Sequence, residues 1–204
     1  IVEQIVKGLR ALHRMEMIHQ DLKPENIMID HQGTVKIIDF GSVKIAGIAE
    51  IVPLDQSEED VLGTLNYTAP EYHLGLRSTV KSDIFSLGVI TYEMINKVLP
   101  FEGGMPERPN KLNLTKLKYI PSFHNNAMVP IWIDGALKKA TSVTPEVRYE
   151  TLSEFVYDLS TPNTEFLKSA EALPLIERNP LIFWKVVSAL LLLSNLIMIY
   201  FLNH

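Results

Sequence analysis

The sequence predicts a mainly α, α+β domain with short β-hairpins, followed by one C-terminal transmembrane helix. Three observations carry this. Apolar residues recur at helical spacing in several stretches. Two short β-branched runs flank a glycine-containing turn near residue 30. The stretch 181–202 is almost wholly apolar. The expected boundaries are a domain over 1–160, a juxtamembrane linker over 161–180 and a span over 181–202.

In chain order, residues 1–17 place Val2, Ile5, Val6, Leu9 and Leu12 on one helical face. Ile27, Met28 and Ile29, then Val35 to Ile38, surround the turn Asp30-His31-Gln32-Gly33 and predict a hairpin. Residues 46–66, acidic and small, predict a long exposed loop. Residues 80–96 are apolar enough for a buried helix, with Ser82 or Thr79 as N-cap and Pro100 closing the segment. Residues 101–128, rich in Pro, Gly and Asn, suggest no definite element. Stretches 129–140 and 152–159 predict two further amphipathic helices. Pro162, Pro174 and Pro180 mark the linker.

The 204 residues carry 19 basic and 24 acidic side chains, a net charge of −5. That balance lacks the basic excess a nucleic-acid binder needs to meet phosphates, so no nucleic-acid partner is expected. The absence of cysteine excludes disulfides, thiolate zinc sites and a cysteine nucleophile. Residue 1 is Ile, not Met, inside a helical pattern, and the chain is therefore expected to be part of a longer protein.

Of the 22 residues 181–202, 18 are hydrophobic; the exceptions are Lys185, Ser188, Ser194 and Asn195. As a helix they reach about 33 Å, enough for a hydrocarbon core of about 30 Å. Phe183, Trp184 and Lys185 at one end, and Tyr200 and Phe201 at the other, suit the two interfaces. Lys168, Arg178 and Lys185 lie on the N-terminal side and no Lys or Arg follows, which places residues 1–180 in the cytoplasm. Asn195 reads as a tolerated polar residue rather than a bond to a second membrane helix, and no GxxxG supports pairing.

The chemistry-bearing residues come in a fixed order. His19-Gln20-Asp21-Leu22-Lys23-Pro24-Glu25-Asn26 precedes the hairpin, and Asp39-Phe40-Gly41 follows it. Gly63-Thr64, Ala69-Pro70-Glu71 and Asp83 come next. Alone, Asp21 would read as a turn aspartate. Some eight fixed residues in order, each at odds of about one in twenty, make coincidence negligible. The chain resembles the catalytic core of the protein kinases, with HxDxKxxN, DFG and APE motifs in order, over roughly residues 1–160. The fold this implies is the C-terminal lobe of the protein-kinase-like fold.

That resemblance implies transfer of the ATP γ-phosphate to a Ser or Thr hydroxyl of a protein, with ATP and Mg²⁺ as cofactors. Phosphoryl transfer needs charge neutralisation and an aligned hydroxyl more than a strong base. Asp21 would orient the hydroxyl and accept its proton. Lys23 would stabilise charge near the γ-phosphate, and Thr64 would bond Asp21 and Lys23. Asn26 and Asp39 would supply hard oxygens to Mg²⁺. Lys23 together with Thr64 resembles the serine/threonine rather than the tyrosine class. His19, Phe40, Gly41, Glu71, Asp83 and Arg148 are implied to be structural: Glu71 pairs with Arg148, and Asp83 holds the catalytic-loop backbone. His13, His31, His73, His124 and His204 show no interpretable spacing.

Two departures stand out. Gln20 occupies a position where many kinases carry an arginine that contacts an activation-loop phosphate. A neutral glutamine cannot make that charge-assisted pair, so activity is expected not to depend on phosphorylation at Ser57, Thr64 or Thr68. Phe85 stands where tryptophan is common. The Gly-rich loop, the strand lysine and the helix glutamate that grip ATP are expected N-terminal to Ile1. The stretches HQDLKPENIMID, LGTLNYTAPEY, WIDGALKKA and RYETLSEF, with PLIERNPLIFWK leading into the span, resemble bacterial bifunctional kinases in which a metal-dependent serine/threonine phosphatase domain precedes the kinase domain. A fused upstream phosphatase and a bacterial inner membrane are implied accordingly. The competing expectation is a membrane-tethered pseudokinase or regulatory binding scaffold. Intact Asp21, Lys23, Asn26 and Asp39 favour the enzyme.

Overall fold

The computed structural model describes residues 1–45, 65–171 and 180–202. They form two units, Ile1–Pro162 and Asn163–His204. Ser57, Gly63, Thr64, Pro174, Arg178 and most of the loop expected over 46–66 lie outside the described residues.

The first unit opens with α1 (Val2–Arg14), which buries Ile5, Val6, Leu9 and Leu12, the face its periodicity selects. The helix stops three residues short of the expected limit, because Glu16 turns left-handed (φ 57°) and β1 (Met17–Ile18) begins. The hairpin forms between β2 (Ile27–Ile29) and β3 (Val35–Ile37), in antiparallel register Ile27↔Ile37 and Ile29↔Val35. Its turn is closed by Asp30, whose Oδ1 accepts the Gln32 and Thr34 backbone N–H groups at 2.9 Å each. A second antiparallel pair joins β1 to β4 (Lys44–Ile45). Two residues per strand are too few to show periodicity, so this pair has no sequence signature.

A short helix α2 (Pro70–His73) leads to α3 (Val80–Asn96). Both candidate caps of α3 take part. Thr79 is the N-cap, and its hydroxyl accepts from Lys81 N–H at 3.2 Å, while Ser82 Oγ accepts from Thr79 N–H at 3.0 Å. Apolar nearly all round, α3 is the central helix: Ile84, Phe85, Leu87 and Val89 have no exposed surface. Its buried Ser86 and Thr91 hydroxyls bond their own backbone, donating to the Ser82 and Leu87 carbonyls at 3.2 and 2.7 Å.

Residues 101–128 contain two short helices, α4 (Lys111–Leu114) and α5 (Ser122–Asn125), and a bridge between Phe101 and Tyr119. Then come α6 (Ile131–Ala140), entered through Pro130 rather than at 129, and α7 (Leu152–Ser160). α1, β1, α5 and α6 pack on α3, and α7 packs on α6 and α1. Gly88 permits a close approach between α3 and the end of α6. A Cβ there would lie 2.9 Å from Ala140 Cβ and 3.0 Å from Thr141 Cγ2.

In the second unit, part of the expected linker is helical, as α8 (Thr164–Glu171). The stretch read as a span is one continuous 23-residue helix, α9 (Pro180–Leu202). Among the described residues, however, no helix is long and apolar enough to cross a membrane. Most of the large apolar side chains described on α9, Leu190 to Leu193 among them, are exposed. Ser194 Oγ and Asn195 Nδ2 both donate to the Leu191 carbonyl, at 2.8 and 2.9 Å, so these donors are satisfied within their own helix.

Candidate active site

The loop between β1 and β2 carries Asp21, Lys23 and Asn26, and its shape is set from below by α3. Asp83, wholly buried, accepts the His19 backbone N–H on Oδ2 and the Gln20 N–H on Oδ1, each at 3.0 Å. Its Oδ2 also lies 2.8 Å from His13 Nε2. A carboxylate can bond several donors at once, and here it fixes two successive peptide groups ahead of Asp21. Gln20 is held at φ 69° in that grip, a conformation a non-glycine residue adopts only when its surroundings impose it.

Pro24 then starts a 3₁₀ turn, Pro24–Asn26, that delivers Asn26 to the head of β2. Asn26 Nδ2 donates to the Asp21 carbonyl at 2.8 Å and to Asp21 Oδ2 at 3.1 Å. Lys23 Nζ lies 3.3 Å from the same Oδ2. Asp21 is therefore oriented by an amide and a cation that both belong to its own loop.

Asp39 reaches the site from β3. The Ile38 N–H donates to the Asn26 carbonyl at 2.9 Å, which extends the hairpin by one bond and sets the residue after Ile38 beside the loop that carries Asp21. Asp39 is left-handed (φ 61°), with Oδ1 accepting the Gly41 N–H at 3.0 Å. Phe40 is half exposed, and its ring centroid lies 5.8 Å from that of His19.

The His19 ring is fully buried and neither nitrogen makes a well-formed hydrogen bond, although the Ile38 backbone is close enough to favour its charged form. Burial pushes its pKa down, and the Asp83, Asp21 and Asp39 carboxylates only partly offset this. A neutral, enclosed imidazole packs the loop against Phe40 and is not placed to shuttle protons.

The donor set fits a hard divalent cation. With Asn26 Nδ2 spent on Asp21, its oxygen and the Asp39 carboxylate are the hard donors at the head of the hairpin, the one-carboxylate pattern by which Mg²⁺ is held together with substrate phosphates. Among the described residues, no group of three or more His, Cys, Asp or Glu forms an all-protein metal cage.

Glu71 and Arg148 meet although 77 residues apart. Arg148 Nη1 and Nη2 donate to Glu71 Oε1 and Oε2 at 2.8 and 2.7 Å, a two-pronged pair. Ser82 Oγ donates to Glu71 Oε1 at 2.7 Å. Burial opposes ionisation of Glu71, but the guanidinium and the Ser82 hydroxyl prevail and hold its carboxyl below the usual range. The remaining Arg148 donors reach the Lys81, Ser142 and Val143 carbonyls.

A cavity of about 500 Å³ adjoins the loop that carries Asp21, lined by Pro24, Glu25, Ile27, Tyr67, Ile90 and Glu93 among others. Tyr67 Oη donates to Glu93 Oε2 at 2.7 Å. Burial and the Glu93 and Glu25 carboxylates raise the Tyr67 pKa well above the usual phenol range, which keeps that donor protonated.

Of the residues read as functional, the structure thus gathers Asp21, Lys23 and Asn26, sets Asp39 beside them, joins His19 to Phe40 and Asp83, and joins Glu71 to Arg148. Thr64 lies outside the described residues. His13 was legible but unread: it follows Leu9 by four and Val6 by seven, so it shares the buried face of α1, where a polar side chain needs a partner.

A family model described as the protein kinase domain matches residues 1–177. The serine/threonine-protein kinase PrkC of Bacillus subtilis is 35% identical over 163 residues, 79% of this chain and 24% of that protein. The probable serine/threonine-protein kinase of Clostridium perfringens is 33% identical over 173 residues, 82% and 24% of the two. The serine/threonine-protein kinase PknA of Corynebacterium glutamicum is 47% identical over 103 residues, 50% and 21%. The chain spans about a quarter of the length of these curated relatives.

Proposed function

The chain belongs to the protein kinase family, and from that premise we propose that the protein it forms part of is a serine/threonine kinase transferring the ATP γ-phosphate to a protein hydroxyl. One observation carries the reading: the Asp21 carboxylate, held between Asn26 Nδ2 at 3.1 Å and Lys23 Nζ at 3.3 Å on a backbone clamped by Asp83.

In this arrangement Asp21 orients the acceptor hydroxyl and takes its proton as the oxygen attacks phosphorus. Lys23, on the same oxygen, is placed to stabilise charge that develops on the transferred group. Asn26 and Asp39 would hold Mg²⁺, which when bound neutralises the ATP phosphates. Little covalent chemistry falls to the protein in such a transfer; positioning and charge stabilisation supply the rate.

The test is phosphate transfer by the full open reading frame, with Asp21→Asn and Asp39→Ala alongside. Asp21→Asn is expected to lose about 10²–10⁴-fold in rate. Equal transfer from all three proteins would sink the assignment and favour the pseudokinase scaffold.

Anchoring is part of the proposal. The 23 residues of α9 reach about 34 Å as a helix, longer than a hydrocarbon core of about 30 Å. Their composition supports a single-pass anchor, and the flanking charges support a cytoplasmic kinase unit. The resemblance to bifunctional kinases also leads us to propose a phosphatase domain in the same reading frame, to be sought in the upstream genomic sequence.

A further inference from the structure

The hairpin that presents Asp39 has strands of only three residues, and Met28 and Ile29 on β2 are more than half exposed. A two-stranded hairpin is at best marginally stable alone, so its tilt is set by what it leans on. Here it leans on α1. Gln4 Nε2 donates to the Gly33 carbonyl at 3.1 Å, and Gln4 Oε1 accepts the Val35 N–H at 2.8 Å. A single side-chain amide thus serves the turn as the edge of a neighbouring strand would.

One helical turn further on, Gly8 meets β3. A Cβ at Gly8 would lie 2.9 Å from Ile37 Cδ1, so any side chain there would push on Ile37. Residues 4 and 8 share one stripe of α1, and the strand they support reaches Asp39 two residues after Ile37. The other end of the same helix carries His13, 2.8 Å from Asp83 Oδ2, and Asp83 clamps the backbone ahead of Asp21. The supports of both carboxylates therefore meet on α1.

We infer that Gln4 and Gly8 are positioning residues for the divalent cation: through β3 they fix where Asp39 stands relative to Asn26 and Asp21. This rests on the kinase reading. Mg²⁺ demands near-ideal octahedral geometry, so a small shift of one carboxylate weakens its binding. Asp21 is oriented from within its own loop by Asn26 and Lys23, so the acceptor protein is affected far less than the cation.

The experiment uses the full open reading frame. It reads Mn²⁺ binding by electron paramagnetic resonance with a non-hydrolysable ATP analogue present, and phosphate transfer to myelin basic protein alongside. Gln4→Met keeps the length and helix propensity of the side chain but removes both bonds. It is expected to weaken Mn²⁺ binding about threefold, within what one hydrogen bond supplies, and to move the acceptor KM by less than about twofold. Gly8→Ala is expected to weaken Mn²⁺ binding by a similar factor with no fall in the urea midpoint, because alanine is the better helix former. Mn²⁺ binding that is unchanged in either variant overturns the inference. So does a loss that comes with an equal rise in the acceptor KM, or a fall in the Gly8→Ala midpoint, since general loosening would then account for it. Absence of transfer from the unsubstituted protein overturns the kinase reading itself, and the inference with it, before any variant is compared.

Discussion

His13 Nε2 lies 2.8 Å from Asp83 Oδ2, and this contact ties α1 to the central helix across 70 residues of sequence. The same oxygen holds the His19 N–H, so the imidazole shares a carboxylate with the backbone that carries Asp21. His13→Leu removes one of the three bonds to a wholly buried carboxylate. Stability is expected to fall by about 1–3 kcal/mol in urea denaturation, with a matching loss of phosphate transfer as the loop loosens. Unaltered values for both would show that the backbone N–H groups alone fix Asp83.

The Glu71–Arg148 pair makes a sharper stability prediction. Both side chains are buried, with Ser82 and three carbonyls completing the network. Arg148→Ala leaves Glu71 charged and unpaired in the interior, at a cost of about 3–5 kcal/mol. Glu71→Met combined with Arg148→Met should cost less than either single change, because no orphan charge remains. Chemical denaturation of Arg148→Ala, the two single Met variants and the double Met variant checks the ordering.

Acid should destabilise the domain in two steps. His19 and His73 both have pKa values lowered from 6.5, chiefly by burial. Below that value the unfolded chain binds protons that the folded one refuses, so stability declines as pH falls through about 6.5. Glu71, lowered from 4.5, contributes stability above that value and loses it at lower pH. His19→Phe should flatten the first step without abolishing it, since His73 remains. A stability curve measured between about pH 8 and pH 5 that keeps its full slope in this variant would exclude His19 as a source.

Much of this site was legible because its residues stand close in sequence. Asp21, Lys23 and Asn26 lie within six positions, and the hairpin that presents Asp39 is announced by Ile27–Ile29, the Asp30–Gly33 turn and Val35–Ile38. The Glu71–Arg148 pairing was legible only through the family resemblance; neither residue's neighbours reveal a partner 77 positions away. Other features left no local trace. β1 and β4 are two residues each, and their pairing depends on how the tertiary fold returns the chain. Residues 101–128 gain their order from contacts with α3, and α4 from the Asn110 cap, whose side chain accepts from Leu112 and Asn113. The Asn66–Met105 hydrogen bond joins two loops, where periodicity carries no information.

Activity should not require a phosphate on the segment before α2. Gln20 cannot pair with one as arginine would, and Thr68 is only 5% exposed, poorly accessible to any kinase. Leu65 packing and the Asn66–Met105 and Tyr67–Glu93 hydrogen bonds hold residues 65–67 without any phosphate. Ser57→Ala is therefore expected to retain transfer within about twofold, well inside the tenfold change that 1.4 kcal/mol produces. Loss of activity in Ser57→Ala with recovery in Ser57→Asp would overturn this.

The proposed anchoring would place the full length of α9 in the bilayer. Its exposed Leu190 to Leu193 would then face acyl chains rather than water, and the Ser194 and Asn195 donors are already bonded to the Leu191 carbonyl, which lowers the cost of carrying them into hydrocarbon. Lys185 lies five residues after Pro180, near enough to the helix start to extend its ammonium to the interface. Deleting residues 180–202 is expected to move the protein from the alkaline-washed membrane pellet to the supernatant, and a reporter fused after His204 should be active only outside the cytoplasm. Lys185→Leu should leave the protein in the pellet but weaken its orientation, since the N-terminal flank loses a positive charge. A cytoplasmic reporter on an unaltered, membrane-bound protein would reverse the topology. Recovery of the undeleted protein in the supernatant would rule out the span.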